Sequence, residues 1–317
     1  MRLLVTRPMT ETAVTMIAAG FDADFRDSNT PLTEAEIARA LRDYDAILPT
    51  LGDRFTAQAL AGEGLRTRII ANFGAGYDHI DVAAARAAGV VVTNTPDVVT
   101  EATADLAMML VLMAARRASE GERLLRAGQW TGWHPTQLLG TNVGGKVLGV
   151  IGMGRIGRAI ARRAHHGFGM PVVFHNRSIV SSLDVPARQM PSLEETLEAA
   201  DFAVIAVPGG AATRGLIGAR ELARLGRDSI LVNIARGDVV DEDALIAALR
   251  ERRIRGAGLD VYAREPVVPE ALRALDNVTL LPHLGTATEE ARTNMALRAL
   301  DNLRAFFDGQ PPPDLVA

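Results

Sequence analysis

An apolar run, a glycine-rich turn and a helix-like stretch follow one another directly at residues 147–157, which read VLGVIGMGRIG. Gly152 permits a tight turn after the strand, Gly154 lets a pyrophosphate approach the backbone, and Gly157 allows the helix to pack closely on the strand. The amides at the start of the helix can then hold the anion. A glycine-rich turn alone is a weak signal, but the strand before it and the helix after it predict a dinucleotide-binding unit.

The same alternation of apolar runs and helix-like stretches extends along most of the chain. The strand-like runs are Leu3–Thr6, Ala46–Leu48, Ile69–Ala71, Val90–Val92, Val147–Ile151, Val172–Phe174, Phe202–Val207, Ile230–Asn233 and Val278–Leu281. The helix-like stretches are Thr33–Leu41, Arg155–Ala164, Leu193–Ala199, Asp241–Arg250 and Glu289–Phe307, with a longer helical pattern from Thr100 to about Arg126. Uninterrupted apolar strands between amphipathic helices predict an α/β fold with parallel sheets. Residues 128–145 are predicted to be a loop, after which a second series of strands and helices begins.

The composition excludes several kinds of chemistry. Among the 317 residues there is no cysteine, which excludes disulfides, thiolate zinc sites and cysteine nucleophiles. Lys146 is the only lysine, so Schiff-base chemistry has a single candidate. His165 and His166 have no carboxylate at metal-ligand spacing, and no metal site is predicted.

Charge and hydropathy also argue against two classes of partner. The formal net charge of -4 is unlike that of nucleic-acid or anionic-membrane binders. The longest apolar stretch, Ala102–Ala115, contains Asp105 and is shorter than the ~18 residues that a membrane span requires. The first ten residues, MRLLVTRPMT, lack the apolar core of a secretory signal. A cytoplasmic protein with neither nucleic acid nor membrane as partner is therefore expected.

The end of the second strand of the dinucleotide unit bears on which nicotinamide cofactor binds. A site that prefers NADH normally places Asp or Glu there, to accept a hydrogen bond from the ribose 2′-hydroxyl. Here the strand ends in His175-Asn176-Arg177-Ser178, and Arg177 could pair with a 2′-phosphate instead. The alternative is that Arg177 is merely solvated while Asp184 reaches back. NADPH is expected to be preferred, with NADH possible but weaker.

Three side chains of catalytic type follow strand-like runs late in the chain. Arg236 comes after one strand, Glu265 stands before Pro266, and His283 follows another strand. Hydride transfer to a 2-oxo acid requires a cation for the carboxylate, a proton donor near neutral pH, and a group that favours the donor's protonated form. Arginine, histidine and glutamate supply these in that order. Taken singly, each also has a plain explanation, as a surface arginine, a structural histidine or a charge at a helix end.

Four segments resemble successive signature segments of the D-isomer-specific 2-hydroxyacid dehydrogenase family, and the similarity runs nearly from end to end. These segments are VIGMGRIG, NIARGDVVDEDAL, GAGLDVYAREP and LPHLGTAT. By this resemblance Arg236 binds the substrate carboxylate and polarises the carbonyl, His283 is the general acid, and Glu265 hydrogen-bonds to His283. Asp260 would lie beside the nicotinamide.

The resemblance also covers the first part of the chain. Residues 72–78, NFGAGYD, are similar to the family's glycine-rich substrate loop, in which the amides of Ala75 and Gly76 hold the carboxylate. A tight turn between strand and helix explains these glycines as well, and the two interpretations are compatible. The implied substrate-binding residues are Leu51, Gly74, Ala75, Gly76, Trp133, Arg236 and His283. The implied cofactor-binding residues are Thr103, Gly152, Gly154, Arg155, Ile156, Gly157, Asn176, Arg177, Ser178, Val207, Pro208, Thr213, Ile234, Ala235, Arg236, Asp260, His283 and Gly285.

The family's organisation implies two Rossmann-like or flavodoxin-like domains with parallel sheets. The cofactor domain, residues 98–285, would be inserted into a discontinuous substrate domain made of residues 1–97 and 286–317. The active site would then lie in the cleft between the two domains.

Within the family, Trp130–Thr136 and the HNRS turn resemble glyoxylate/hydroxypyruvate reductases. Trp133 is then the residue that would reach the partner subunit's active site in a homodimer formed through the 100–145 region. Its alternative role is that of an aromatic anchor for the dimer arm. Length and Glu265 fit poorly with the family's phosphoglycerate and formate dehydrogenases, respectively. Two alternatives remain open, a dehydrogenase with a different 2-oxo acid or NADH linkage, and a related corepressor that senses the dinucleotide without catalysis.

Overall fold

The computed structural model describes residues 1–316, and the chain divides into two compact units. The first unit comprises Met1–Val99 and Thr286–Ala317, and the second comprises Thr100–Gly285. The chain therefore leaves the first unit once and returns to it once. The predicted first boundary, after residue 97, differs from the observed boundary by two residues. Which unit binds cofactor and which binds substrate stays a prediction at this point.

The first unit is built on a five-stranded sheet in the order β2-β1-β3-β4-β5, with every pairing parallel. This is the flavodoxin-like order. Its strands are β1 (Arg2–Val5), β2 (Asp22–Phe25), β3 (Ala46–Leu48), β4 (Ile69–Ala71) and β5 (Val91–Thr93). Its helices are α1 (Glu11–Gly20), α2 (Glu34–Asp43), α3 (Ala57–Leu60), α4 (Val82–Ala87) and α12 (Glu289–Phe307).

The last segment of the chain completes the first unit. Helix α12 buries an apolar face and packs against β4. Beyond it, Leu315 forms an isolated antiparallel bridge with Thr93 at the end of β5. The buried Asp314 carboxylate accepts hydrogen bonds from Arg298 at 2.6 Å and Asn302 at 3.0 Å, both on α12. These contacts fasten the end of the chain to the edge of a sheet that begins at residue 2.

The second unit is built on a seven-stranded parallel sheet in the order β12-β11-β10-β9-β6-β7-β8. Its strands are β6 (Leu148–Ile151), β7 (Val172–His175), β8 (Ala187–Gln189), β9 (Phe202–Ile205), β10 (Ile230–Asn233), β11 (Gly256–Leu259) and β12 (Val278–Leu280). Its helices are α5 (Thr100–Ala115), α6 (Ala118–Arg126), α7 (Arg155–Phe168), α8 (Leu193–Ala199), α9 (Ala219–Leu222), α10 (Glu242–Arg250) and α11 (Glu270–Arg273), with a 3₁₀ turn at Gly237–Val239.

The direction of strand addition reverses beside β6. The chain runs from β6 outward through β7 to β8, and then returns to the other side of β6 with β9. This is the Rossmann order, and the reversal makes the carboxyl end of β6 the topological switch point at which dinucleotides bind. Buried apolar clusters cover both faces of the sheet, as a parallel sheet requires. The predicted α/β class with two parallel sheets is confirmed.

The prediction of one long helical segment from Thr100 to about Arg126 is wrong. The chain breaks at Arg117, whose φ of 53° is left-handed, and forms α5 and α6 instead. The N–H of Thr141 caps the Ala115 carbonyl at 2.9 Å, and Gly140 packs so tightly there that a Cβ would overlap that carbonyl. The break therefore depends on a segment about two dozen residues downstream, since residues 110–120 contain no Gly or Pro to signal it.

Three strands escape the hydrophobic pattern. Strand β2 reads DADF, lies at an edge of the first sheet and has alternating exposure. Strand β8 lies at an edge of the second sheet, and β11 reads GAGL. Glycines in β11 are required by packing, because a Cβ at Gly258 would come within 3.0 Å of Leu110 on α5. The described helices include none that is both long and apolar enough to cross a membrane.

Candidate active site

The glycine-rich turn joins β6 to α7 at the switch point of the second unit. Gly152 has a φ of 97°, and a Cβ there would come within 2.8 Å of the Ala206 carbonyl. A Cβ at Gly157 would overlap the Gly152 carbonyl, whereas the space beside Gly154 is open. Gly154 is also the N-cap of α7 and offers no side chain to its first amides. The turn is thus tight on the protein side and open on the other, which fits a pyrophosphate on the helix N-terminus.

The turn after β7 is held in place by Asn176. Its side chain accepts from the Met153 amide at 3.3 Å and donates to the Ser178 carbonyl and hydroxyl at 3.0 and 3.1 Å. Arg177 is exposed, and among the described residues no carboxylate forms an ion pair with it. Asn176 therefore links the two turns that a dinucleotide phosphate and ribose contact in this fold.

The other predicted cofactor-side residues lie in the second unit as well. Val207, Pro208 and Thr213 follow β9, where the Thr213 hydroxyl donates to the Pro208 carbonyl at 2.7 Å. Ile234 and Ala235 follow β10 and are buried. The remaining members lie at the helix starts or at the end of the unit, namely Thr103, Arg155, Ile156 and Gly285.

Glu265 and His283 form a hydrogen-bonded pair in the second unit. Nδ1 of His283 lies 2.8 Å from a carboxylate oxygen of Glu265, and the two side chains are 33% and 29% exposed. Both are thus partly withdrawn from water while remaining accessible to a small molecule. The hydrogen bond uses Nδ1 of the imidazole, which leaves Nε2 as the atom that can exchange a proton with a ligand.

The electrostatics of the pair favour an ionised glutamate. Burial raises the pKa of Glu265, but the hydrogen bond from His283, the positive charge of that imidazole, the Tyr262 amide and the Arg236 guanidinium together outweigh it, so the pKa lies below its usual range. The carboxylate is therefore negative near neutral pH.

His283 adopts an unusual backbone conformation that its neighbours maintain. Its φ is 54°, in the left-handed region. The Asp260 carboxylate accepts from the Leu284 and Gly285 amides at 2.6 and 2.8 Å, and the His283 amide donates to the Asp260 carbonyl at 2.9 Å. Burial raises the pKa of Asp260, which these amides offset only in part. Asp260, predicted to lie beside the nicotinamide, thus also holds the histidine turn.

Tyr262 also belongs to this arrangement, although it was not predicted as a site residue. Its hydroxyl donates to the Leu281 carbonyl at 2.8 Å, and its amide donates to the Glu265 carboxylate at 3.0 Å. One buried residue therefore supports both the segment that leads to His283 and the carboxylate that binds it. A tyrosine three residues after the end of a buried strand was the signal in the sequence, since a buried hydroxyl must find an acceptor.

Arg236 follows β10 and is held by local contacts. Its Nη1 donates to the Ala235 carbonyl at 2.8 Å, and Asn233 accepts from the Ala235 amide and donates to the Arg236 carbonyl. A Cβ at Gly209 would lie 2.7 Å from Cγ of Arg236. The absence of a side chain at residue 209 therefore provides the space in which the arginine stem lies.

The glycine loop of the first unit follows β4. Asn72 donates to the carbonyls of Gly74 and Gly76 at 3.0 and 2.9 Å, and Asn94 donates to the Ala75 carbonyl at 2.8 Å. In the described chain, the amides of Ala75 and Gly76 donate to no protein group. With its carbonyls engaged and two amides unused, the loop fits an anion. Asn72 and Asn94 were not predicted as site residues, although each stands directly after an apolar strand.

Two predicted substrate-binding residues, Leu51 and Trp133, form none of the hydrogen bonds described above. Trp133 is 79% exposed in the segment between α6 and β6. Leu51 is 40% exposed in a turn that follows β3 in the first unit. Leu51 and the glycine loop thus belong to one unit, and Arg236, Glu265, His283 and Trp133 belong to the other.

Comparison with known proteins assigns the chain to a family. The family described as "D-isomer specific 2-hydroxyacid dehydrogenase, NAD binding domain" matches residues 108–285. Glyoxylate reductases from Thermococcus onnurineus and Pyrococcus furiosus are each 42% identical over 321 residues, which cover 99% of this chain and 95% of each relative. The structure of an NADPH-dependent glyoxylate/hydroxypyruvate reductase from Sinorhizobium meliloti, in complex with NADP and malonate, has a TM-score of 0.88 at 36% identity and covers 100% of this chain and 96% of its own.

A Rossmann sheet with a glycine-rich switch-point turn, beside a histidine–glutamate pair and an arginine, defines a nicotinamide-dependent oxidoreductase. The chain belongs to the D-isomer-specific 2-hydroxyacid dehydrogenase family and is similar to its glyoxylate reductases. The nicotinamide dinucleotide is its cofactor class.

Proposed function

We propose that the protein is a reductase of small 2-oxo acids that prefers NADPH and converts glyoxylate to glycolate and hydroxypyruvate to D-glycerate. The observation that carries the proposal is the 2.8 Å hydrogen bond between Glu265 and His283, which leaves Nε2 of the imidazole as a proton donor. Relatives named glyoxylate reductase at 42% identity support the substrate class.

The chain's own residues supply the proton and the orientation. When bound, the reduced nicotinamide would supply a hydride, that is a proton with two electrons, to the carbonyl carbon. His283 gives the proton on Nε2 to the carbonyl oxygen, so that the C=O bond becomes CH–OH. Glu265 orients the imidazole through Nδ1, so that Nε2 carries the proton to be donated. These roles of His283 and Glu265 are part of the proposal.

The carboxylate of the substrate requires cationic or N–H donors. We assign the Arg236 guanidinium, whose planar fork matches a carboxylate, and the unused amides of Ala75 and Gly76. Malonate in the Sinorhizobium meliloti structure is itself a small carboxylate, which supports an anion site in that relative. Leu51 and Trp133 remain the residues proposed to contact the rest of the substrate.

A panel of 2-oxo acids tests the proposed function directly. NADPH absorbance at 340 nm should fall on addition of glyoxylate or hydroxypyruvate, with slower loss when NADH replaces NADPH. Pyruvate, 2-oxobutyrate and larger acids complete the panel. A steady trace with every acid and both cofactors would contradict the proposal, and activity confined to a larger acid would correct the substrate.

Cofactor preference depends on Arg177 in this proposal. Arg177→Ala should weaken NADPH by about tenfold or more and leave NADH within twofold, since a charge-assisted bond to phosphate is worth ~1.5–3 kcal/mol. Binding of each cofactor is measured by titration calorimetry. Arg188→Ala, a substitution of an exposed arginine on β8, is the matched control. Equal weakening of NADPH and NADH by Arg177→Ala would mean that Arg177 does not read the 2′-phosphate.

The lowered pKa of Glu265 predicts how activity responds to acid. Because the folded protein favours the ionised carboxylate, Glu265 keeps its charge beside His283 throughout the neutral range and loses it only as the pH falls below the usual range of a glutamate. Glu265→Gln removes that charge at every pH, so kcat/KM at neutral pH should fall about tenfold, which corresponds to ~1.4 kcal/mol. Profiles of kcat/KM between pH 5 and 9 measure the loss, with the exposed Glu251→Gln as control. A profile unchanged from wild type would contradict the role of Glu265.

We also propose a homodimer formed through residues 100–145. Several large apolar side chains in this region are exposed, namely Met109, Leu125, Trp130, Trp133 and Leu139. Exposed apolar side chains mark protein interfaces where they form a contiguous surface patch, and these residues are the ones proposed to form it. Light scattering after size exclusion gives the mass directly, and the mass of one chain would contradict the dimer.

A further inference from the structure

A buried ion pair lies at the carboxyl edge of the first sheet. Nη2 of Arg7 is 2.8 Å from a carboxylate oxygen of Asp53, and the two side chains are 9% and 0% exposed. Arg7 follows β1 and Asp53 follows β3, which are parallel neighbours. Both residues therefore lie at the edge where ligands bind in open α/β sheets.

Asp53 gathers donors from three separate parts of the chain. Besides Arg7, its carboxylate accepts from the Thr6 hydroxyl at 2.6 Å, the Leu32 amide at 2.8 Å and the Thr50 amide at 3.4 Å. A fully buried carboxylate is costly unless such donors surround it. The folded unit must therefore keep all four donors converged on this residue.

The same contacts close the turn that carries Leu51. The Asp53 amide donates to the Thr50 carbonyl at 3.2 Å, while the Thr50 amide points back at the Asp53 carboxylate. Between them, Gly52 takes a φ of 108° and Leu51 is 40% exposed. Thr50 also forms a bridge with Phe73, directly before the glycine loop. The turn is thus tied to a buried charge on one side and to the predicted anion loop on the other.

We propose that Asp53 is a positioning residue that fixes the 50–53 turn and so determines how Leu51 meets the substituent of the 2-oxo acid. The inference rests on the proposed function. Asp53 is buried and acts through Leu51, so its loss should change substrate affinity and selectivity while the proton-transfer pair in the other unit keeps its contacts. Glyoxylate carries only hydrogen on its carbonyl carbon, whereas hydroxypyruvate carries a hydroxymethyl group. A loosened turn should therefore affect hydroxypyruvate more than glyoxylate.

Asp53→Asn tests this directly. It keeps the shape of the side chain and removes the charge that balances Arg7. The KM for hydroxypyruvate should rise about tenfold, the scale of discrimination for a small substituent in a pocket. The KM for glyoxylate should rise less, kcat for both should stay within twofold, and the Kd of NADPH should not change. Thr6→Val removes only the hydroxyl donor. It should raise the ratio of the KM for hydroxypyruvate to the KM for glyoxylate as well, but by a smaller factor than Asp53→Asn.

Asp45→Asn is the matched control. Asp45 also collects several donors in the first unit, the Arg2 amide at 2.7 Å and two nitrogens of Arg66 at 2.8 and 3.0 Å. The hydrogen bond from Arg66 lowers the pKa of Asp45 to about 2, so this carboxylate too is ionised and paired. It directly precedes β3 and so lies at the opposite, amino edge of the sheet. Asp45→Asn should lower the Tm of the protein without changing the KM for either substrate.

The outcomes separate the inference from the function on which it rests. A wild-type protein that turns over no 2-oxo acid would overturn the proposed function and this inference with it. An active wild type, with both KM values unchanged in Asp53→Asn, would overturn the inference alone. If Asp53→Asn does not fold, Thr6→Val provides the test. A ratio of the two KM values in Thr6→Val that equals the ratio in Asp45→Asn would overturn the role of Asp53.

Discussion

His283→Ala should lower kcat for glyoxylate reduction by about 10²–10⁴-fold, the usual contribution of a positioned general acid. The substitution removes Nε2 as proton donor and leaves the Glu265 carboxylate without the imidazole it contacts at 2.8 Å. The glycine-rich turn and the Asn176 turn are untouched. The Kd of NADPH should therefore stay within a few-fold of the wild-type value. Steady-state kinetics and calorimetry on the same preparation separate the two effects.

The control and a rescue sharpen this test. His166→Ala removes an exposed histidine on α7 and should leave kcat unchanged. Added imidazole should restore part of the activity of His283→Ala, because its protonated form can enter the space left by the side chain and donate the proton. If His283→Ala retains more than a tenth of wild-type kcat, another group donates the proton and the assignment of the acid is wrong.

Arg236→Gln should lower kcat/KM for glyoxylate and hydroxypyruvate by about 10²–10³-fold, since removing one partner of a close charge pair costs ~2–5 kcal/mol. Glutamine keeps the length of the stem that lies against Gly209 but supplies no charge. Arg236→Lys should recover only part of the loss, because an ammonium is a point charge and cannot bind a carboxylate with a planar fork. The comparison of the two variants distinguishes charge from geometry.

The neighbouring Arg214 provides the matched control for this substitution. Its guanidinium lies 3.1 Å from the Asp238 carboxylate, and its side chain is 70% exposed. Arg214→Gln should therefore leave kcat/KM within twofold. Loss of activity in Arg214→Gln as large as in Arg236→Gln would indicate a general disturbance of this edge, and near-normal activity in Arg236→Gln would remove arginine from the carboxylate site.

The sequence predicted those parts of the molecule whose signals are local. The apolar runs that became β6, β9 and β10 are buried on both faces, so their hydrophobicity is uninterrupted. The spacing of Gly152, Gly154 and Gly157 reflects steric demands within a single turn. The Glu265–His283 contact joins residues far apart in sequence, and its prediction came from family resemblance and the chemistry of hydride transfer.

The missed features depend on neighbours distant in sequence. The Ala115 carbonyl at the break is capped by Thr141, Gly258 of β11 is required by the approach of α5, and Gly256 is required by the approach of Asn277. Asp53 lies in a short polar segment typical of a loop, and nothing local indicates that donors at residues 6, 7, 32 and 50 converge on it. The supporting hydrogen bonds of a site are therefore harder to read from sequence than the reacting side chains.

The return of the chain to its first unit imposes an order on biosynthesis. A ribosome completes every strand of the second unit before it makes α12, which packs against β4 of the first. Until then the buried apolar positions of α12, among them Met295, Leu300 and Leu303, are missing from the sheet they cover. The first ninety-nine residues therefore cannot complete their fold until α12 has been made. The part of the protein that is made first depends on the part that is made last.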